Sequence, residues 1–187
     1  MNNIEIIEPI IKEFYESFLG KSFGHENNDY DFLMDIYSIS PDLKREHRQY
    51  WGTQLGRLWE KIIIELAKAN CDDYEPALTI DGEQLCDLRI GNDAIDTKYR
   101  CGSGDSGTLK KFRHYGKTLT QKGYHPIMLL VRNDNLVNAV SAAKSGGWTI
   151  YTGKESFEYI KNKIGVNIEE IIYEFKGKYR ISRDLLS

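Results

Sequence analysis

The stretch CDLRIGNDAIDTKYRCGSGDSGTLKKF, residues 86–112, holds two short runs of alternating apolar and polar residues on either side of Gly91-Asn92. Such alternation around a Gly-Asn pair is typical of a β-hairpin with a two-residue turn. In this register Asp87 lies opposite Asp96, with Cβ atoms roughly 5 Å apart. Two carboxylates at that separation repel each other unless a cation lies between them, and Mg²⁺ prefers such oxygen ligands.

Side-chain alternation divides the predicted hairpin into an apolar face and a charged face. The apolar face is predicted to hold Cys86, Leu88, Ile90, Ile95, Thr97 and Tyr99, and the charged face Asp87, Asp96, Lys98 and Arg100. A register shifted by one residue at each end would instead pair Asp87 with Lys98 in an ordinary cross-strand ion pair. The hairpin alone leaves both registers open.

Features on either side of the hairpin favour the first register. Lys98 lies on the face of Asp96, where its ammonium group can reach a phosphate or a metal-bound water. Glu60, in the preceding helical segment GRLWEK, lies near the edge of an apolar stripe and could supply a third carboxylate, although a solvated helix glutamate is the alternative. The loop CGSGDSGT and the helix after it expose backbone N–H groups, which bind phosphate well.

Composition and charge limit the class of protein. The chain has 187 residues, 41% of them hydrophobic, which is enough for one packed domain. No apolar run approaches about 18 residues and the N-terminus has no signal-peptide pattern, so we expect neither a membrane span nor export. The three cysteines show no metal-ligand spacing, and a reducing cytoplasm is the expected location.

The net charge is −3, but positive charge is concentrated after the hairpin. Residues 98–122 contain seven Lys or Arg and one acid, Asp105. This run predicts an anionic partner on one face, with a merely solvated helix face as the alternative.

The period of the apolar residues predicts the order of elements. Helices are expected over residues 4–19, 41–69, 108–122, 135–145 and 154–163, and strands over residues 77–80, 84–90, 94–99, 126–131 and 148–153. Ser40 and Pro41 predict the start of the second helix, and Gly52 is a possible break in it. The order predicts an α/β fold with a mixed central sheet flanked by helices.

Asp87, followed nine residues later by Asp96-Thr97-Lys98, resembles the signature of the PD-(D/E)xK nuclease superfamily. The order of elements over about residues 50–153 is similar to the αβββαβ core of restriction-endonuclease-like folds, and type II restriction endonucleases, of the ApaLI-like branch, are the nearest group. The position before Asp87 departs from the pattern, because it holds Cys86 instead of proline.

The resemblance implies roles for these residues. Asp87 and Asp96 would bind a divalent metal with the Thr97 carbonyl as a further ligand, Lys98 would orient the attacking water, and Glu60 would match the helix glutamate of many members. The cofactor would be Mg²⁺, with Mn²⁺ as a substitute. The DNA-binding residues are predicted to be Arg100, Ser103, Asp105, Lys110, Lys111, Arg113, His114 and Lys117, with Arg132, Asn133, Asn135 and Asn138 as further base-reading candidates.

The implied protein is a type II restriction endonuclease that hydrolyses double-stranded DNA and leaves 5′-phosphates. It would be one nuclease domain, residues 1–187, with a helical N-terminal part (1–49), a catalytic core (50–153) and a C-terminal helical tail (154–187). A palindromic site would require a homodimer. The alternatives are a structure-specific nuclease of the same fold, of the resolvase or repair type, and a non-catalytic DNA-binding module.

Overall fold

A computed structural model describes residues 31–181, so the helix predicted over residues 4–19 lies outside the described residues. The helices are α1 (Phe32–Tyr37), α2 (Pro41–Glu46), α3 (Arg48–Asn70), α4 (Ser106–Gln121), α5 (Val137–Ser145), α6 (Lys154–Ile164) and α7 (Ile168–Tyr173). The strands are β1 (Tyr74–Pro76), β2 (Thr79–Ile80), β3 (Glu83–Gln84), β4 (Leu88–Ile90), β5 (Asp93–Lys98), β6 (His125–Leu130) and β7 (Thr149–Thr152).

The central sheet has five strands in the order β1-β4-β5-β6-β7. The β1, β4 and β5 strands are antiparallel neighbours, whereas β5, β6 and β7 run parallel. Helices α4 and α5 connect the parallel strands, as such crossovers require. The predicted α/β class with a mixed sheet flanked by helices is confirmed.

The hairpin between β4 and β5 has the first of the two predicted registers. Leu88 pairs with Ile95 and Ile90 with Asp93, so Gly91-Asn92 is a two-residue turn. Gly91 has a φ of 57°, a left-handed conformation that glycine adopts without a steric cost.

Two of the predicted strands are wrong in their extent. Residues 77–80 do not pair with the central sheet, because β2 and β3 form a separate two-stranded ribbon. Asp81 and Gly82 both have positive φ, 51° and 80°, which produces a tight turn that folds this segment back on itself. The edge strand of the sheet is instead Tyr74–Pro76, and the predicted strand 84–90 is interrupted between β3 and β4.

Because of this interruption, Cys86 does not lie on the face of the sheet where it was predicted. Leu85 N–H donates to the Leu78 carbonyl and so leaves the β4–β5 ladder. The chain bends at Asp87, and Cys86 therefore packs on the opposite face of the sheet from Leu88.

The long helix begins as predicted but breaks elsewhere. Ser40 Oγ accepts the Leu43 N–H at 3.1 Å, and Pro41 occupies the first turn. The break between α2 and α3 lies at His47, and α3 continues through Gly52 without interruption.

The sheet separates two apolar clusters. One cluster joins α1, α3, α6 and α7 to one face, with the fully buried Trp59 donating its indole N–H to the Leu129 carbonyl at 3.3 Å. The other joins α4 and α5 to the opposite face through Phe112, Met128 and Trp148. Across residues 31–181, no helix is long and apolar enough to cross a bilayer.

Backbone contact between α4 and the end of α5 fixes the basic helix on the sheet. A β-carbon at Gly116 would lie 2.4 Å from the Gly146 carbonyl oxygen and 2.6 Å from Trp148 Nε1. Trp148 Nε1 also donates to the Phe112 carbonyl at 2.8 Å. No side chain larger than hydrogen fits at Gly116.

Replacing Gly116 with alanine should therefore lower the free energy of unfolding by about 1–3 kcal/mol, because the added methyl group forces α4 away from Trp148. Urea denaturation measures the change. Gly104→Ala is the control, because its β-carbon would make only an ordinary contact, 3.8 Å from Leu136 Cδ1. Equal stability of the two variants would contradict this packing.

Candidate active site

The C-terminal half of β5 carries an ion pair in a largely buried position. Lys98 Nζ lies 2.7 Å from Asp96 Oδ2, and the two side chains are 31% and 15% exposed. They share a face because residues two apart in a strand point the same way. The structure thus brings together the Asp and Lys of the predicted Asp96-Thr97-Lys98 motif.

Asp87 is hydrogen-bonded to Thr97, the β5 residue that lies between Asp96 and Lys98. Its Oδ2 accepts the Thr97 N–H at 2.6 Å and the Thr97 hydroxyl at 2.8 Å, while its Oδ1 accepts Gln84 Nε2 at 3.0 Å. Because β4 departs from the ladder at Asp87, this carboxylate satisfies a backbone donor that the strand would otherwise have paired. The alternative ion pair between Asp87 and Lys98 is not formed, since Lys98 pairs with Asp96.

Burial and the neighbouring charges shift the pKa values of both members of the Asp96–Lys98 pair. Burial, together with the nearby charges of Asp87 and Glu60, raises the pKa of Asp96 to about 6, although Lys98 opposes the shift. Burial alone would lower the pKa of Lys98, but the charges of Asp96 and Asp87 outweigh it and raise that pKa above its usual value. Lys98 therefore stays protonated at neutral pH, and Asp96 is an ionised carboxylate held at an energetic cost.

Glu60 faces the same region from α3. It lines a cavity together with Thr97 and Lys98, and burial followed by the charge of Asp87 raises its pKa. Among residues 31–181, however, no group of three or more His, Cys, Asp or Glu is arranged to hold a metal ion. The role of Glu60 as a third metal-binding carboxylate beside Asp87 and Asp96 therefore stays a prediction.

The cavity has a volume of about 690 Å³ and lies between α2, α3 and the end of β5. Five cations and one carboxylate are among its lining residues: Lys44, Arg48, Arg57, Lys98, Arg100 and Glu60. Within residues 31–181, the lining also includes Gln49, Gly52, Thr53, Gly56, Thr97, Tyr99, Gly102 and Ser103. Its charge suits an anionic ligand.

Sequence reasoning missed the three cations from the helices. Arg48 and Glu60 are twelve residues apart, or three steps of four, and Arg57 lies three residues before Glu60. That spacing was available as a signal, because residues three and four apart share a helix face. Lys44 could not have been assigned, since the break at His47 decides where its side chain lies.

The predicted DNA-binding residues lie in three places: the cavity, the exposed face of α4, and the cap at the start of that helix. Arg100 and Ser103 line the cavity, whereas Lys110, Lys111, Arg113, His114 and Lys117 are exposed on α4. Asp105 caps α4 by accepting the Thr108 N–H at 2.9 Å. Its hydrogen bonds to Ser103 and Thr108 lower the pKa of this carboxyl group. Asp105 therefore has a structural role as the N-terminal cap of α4.

Two base-reading candidates have structural partners instead. Arg132 is 6% exposed and pairs with Asp31 at 2.9 Å and with Asp134 at 2.7 Å. Asn135 accepts the Cys101 N–H at 2.7 Å and donates to the Arg132 carbonyl at 2.6 Å. These contacts argue against their assignment as base readers, because buried Arg132 and partly buried Asn135 already have partners within the fold.

Models of protein families, curated proteins and solved structures were compared with this chain, and none of them matches it.

The cost of ionising Asp96 gives a test that separates a catalytic pair from a structural one. Because its pKa is raised in the folded state, Asp96 contributes stability below its unfolded pKa of about 4 and loses it as the pH rises through about 6. At pH 8 the ionised form therefore destabilises the fold. Asp96→Asn also leaves the buried Lys98 ammonium group without its partner at every pH in this range, so the test is the pH dependence of the difference. Between pH 4 and pH 8 the wild type should lose about 1–3 kcal/mol of stability relative to Asp96→Asn.

Chemical denaturation of both proteins between pH 4 and pH 8, without divalent metal, measures this difference. Asp93→Asn is the matched control, because the Asp93 carboxylate bonds the Lys163 ammonium at 2.8 Å and the Tyr159 hydroxyl at 2.8 Å. Its pKa is lowered, so that variant should lose stability at pH 8. A stability difference between the wild type and Asp96→Asn that does not fall between pH 4 and pH 8 would make the Asp96–Lys98 pair a structural salt bridge.

Proposed function

We propose that this protein is a Mg²⁺-dependent endonuclease that hydrolyses DNA phosphodiesters, of the type II restriction class. The observation that carries the proposal is the Asp96–Lys98 ion pair at the end of β5, whose charged atoms lie 2.7 Å apart. Lys98 also lines a cavity that contains further cations. Asp87, hydrogen-bonded to Thr97 between Asp96 and Lys98, adds a second carboxylate. A buried carboxylate with a raised pKa, an ammonium group held in place and a cavity lined by cations together suit phosphoryl chemistry.

The fold supports the proposal through its order of elements. From α3, the chain forms β1, β4 and β5 as antiparallel neighbours, crosses through α4 and returns as β6 parallel to β5. This is the αβββαβ order of restriction-endonuclease-like folds, once the ribbon of β2 and β3 is treated as an insertion between β1 and β4. The motif stands at the third strand of that order.

The donor set of the site fits a divalent cation. A carboxylate has about four lone-pair positions; Asp87 uses three of them within the protein, and Asp96 accepts the Lys98 ammonium group. The raised pKa of Asp96 shows a buried negative charge that a cation would relieve. Asp87 and Asp96 would hold Mg²⁺ or Mn²⁺, with the Thr97 carbonyl as a further oxygen ligand.

Bound Mg²⁺ would supply a Lewis acid that lowers the pKa of a coordinated water. The chain itself supplies the charge of Lys98. Since Lys98 is protonated at neutral pH, its role is to orient water and to stabilise negative charge on the reacting phosphate, not to remove a proton. Asp96 fixes the ammonium group in place.

The finer parts of the proposal concern the substrate. The exposed cations of α4 would hold the backbone of a DNA duplex, and a palindromic site would be cut by a cytoplasmic homodimer. A structure-specific nuclease of the same fold is the second candidate. The structural contacts of Arg132 and Asn135 favour it, because they remove two of the groups proposed to read bases.

Digestion of unmethylated phage DNA tests the proposal. Purified protein with Mg²⁺ should give discrete bands, and Lys98→Ala should reduce the rate about 10²- to 10³-fold, because a charge aimed at the transition state is lost. The matched control is Lys144→Ala, an exposed lysine on α5 outside the cavity, which should cut like the wild type.

Cleavage that survives Lys98→Ala would place the active site elsewhere. Cutting of branched but not linear DNA, with the same dependence on Lys98, would select the structure-specific nuclease. DNA binding with no hydrolysis of either substrate, in Mg²⁺ or Mn²⁺, would leave the non-catalytic DNA-binding module.

A further inference from the structure

We propose that the cavity between α2, α3 and the end of β5 binds the sugar–phosphate backbone of one nucleic-acid strand, with Arg48 and Arg57 as its phosphate-binding residues. The inference rests on the proposed function, because it places these residues next to the reacting phosphate. It assigns a role to cations that neither the signature motif nor the basic helix α4 includes.

The charge of the cavity is concentrated on the helix side. Lys44 comes from α2, and Arg48 and Arg57 come from α3, whereas Lys98 and Arg100 come from the strand end. Glu60 is the one carboxylate among the lining residues that belong to the described part of the chain, and its raised pKa means that its negative charge is already disfavoured there. Such a one-sided set attracts a ligand that carries several negative charges.

Several of these cations are held in position before any ligand arrives. The Lys44 side chain is 1% exposed, and its Nζ lies 4.8 Å from the centre of the Tyr99 ring. Arg100 Nε donates to the Asp134 carbonyl at 2.7 Å, which directs its guanidinium group along the loop. A cation that is already ordered loses little side-chain entropy on binding, so the cavity is preorganised for an anion.

The floor of the cavity is kept open by glycine. Gly52 and Gly56 lie one turn apart on α3, in the interior of a long helix where glycine lowers stability relative to alanine. A β-carbon at Gly52 would meet nothing within 4 Å, so close packing does not require glycine there. At Gly56 the added atom would lie 3.7 Å from Tyr99 Cβ, at the closest approach of α3 to the strand end.

Size and shape favour one strand as the ligand. A volume of about 690 Å³ falls within the range of small-molecule sites, about 300–1,000 Å³. A segment of one backbone fits that space, whereas a duplex does not. Arginine suits the ligand because its planar guanidinium group forms paired hydrogen bonds with phosphate oxygens.

Binding of a fluorescein-labelled (dT)₁₂ oligonucleotide in EDTA tests the inference without any hydrolysis. Arg48→Gln and Arg57→Gln should each weaken binding roughly tenfold, since each removes a charge-assisted contact. The double variant should also flatten the slope of log K against log salt by about 1.4, the value for two phosphate contacts on a single strand. Both residues are exposed, so the substitutions should not disturb the core.

Lys61→Gln is the matched control. Lys61 lies one turn from Arg57 on the same helix but is not part of the cavity lining; it lines a neighbouring groove, to which Arg57 also contributes. This variant removes the same charge and should bind (dT)₁₂ within about twofold of the wild type. If it weakens binding as much as Arg57→Gln does, the attraction is a diffuse property of the surface and the inference is wrong.

Gly52→Ala adds a second, independent readout. The alanine should raise the melting temperature by about 1–4 °C, because it favours the helix. It should also weaken (dT)₁₂ binding at least threefold, because the methyl group occupies the floor of the cavity. Unchanged binding in this variant and in the double arginine variant would overturn the inference.

These outcomes separate this inference from the nuclease proposal. Arginine-dependent binding by a protein that cuts no DNA would support the strand-binding cavity and remove the nuclease. Lys98-dependent cutting by a protein whose double arginine variant has an unchanged KM and unchanged (dT)₁₂ binding would retain the nuclease and remove the strand-binding cavity.

Discussion

The arrangement of the site depends on the point where β4 leaves the sheet. The last hydrogen bond of that ladder runs from the Asp87 N–H to the Ile95 carbonyl. The residues before Asp87 lie away from the ladder, because they come from the ribbon of β2 and β3. The Asp87 carboxylate takes the vacated position and accepts the Thr97 N–H at 2.6 Å. The end of β5 is thereby left without a neighbouring strand on one side, and the cavity forms there.

The electrostatic cost of this arrangement at the end of β5 falls mainly on the ionised carboxylate of Asp96. The carboxylate lies close to Asp87 in a buried position, and its pKa rises to about 6 despite the ammonium group of Lys98. Folds usually avoid such a charge unless it has a function, because an apolar side chain would pack there at no electrostatic cost. The proposed active site would account for this cost, because active sites commonly give up stability for function.

The sequence predicted the hairpin, its register and the strand–helix–strand order well, because each depends on local signals. The Gly91-Asn92 turn and the alternation around it leave few registers, and the apolar run of β6 indicates a strand buried on both faces. The turn at Asp81-Gly82 is as strong a local signal, but the predicted strand 77–80 joins a separate ribbon instead of the central sheet, because tertiary packing decides which neighbour a short strand joins.

The candidate site was predictable only in part, for the same reason. The β5 residues Asp96 and Lys98 share a face by strand geometry, so the motif itself could be located. The contribution of α2 and α3 depends on the break at His47 and on the close approach of Gly56 to Tyr99, which no local pattern encodes. The burial of Arg132 in ion pairs depends likewise on Asp31, which is 101 residues away in sequence.

The most direct test of the central claim is calorimetric titration of Mn²⁺ into the wild-type protein and Asp96→Asn at pH 7.5 and pH 5. The account predicts binding to the wild type at pH 7.5, weaker binding at pH 5, where Asp96 takes up a proton, and no binding to the variant. Equal binding by both proteins at both pH values would contradict the claim that Asp96 holds the metal.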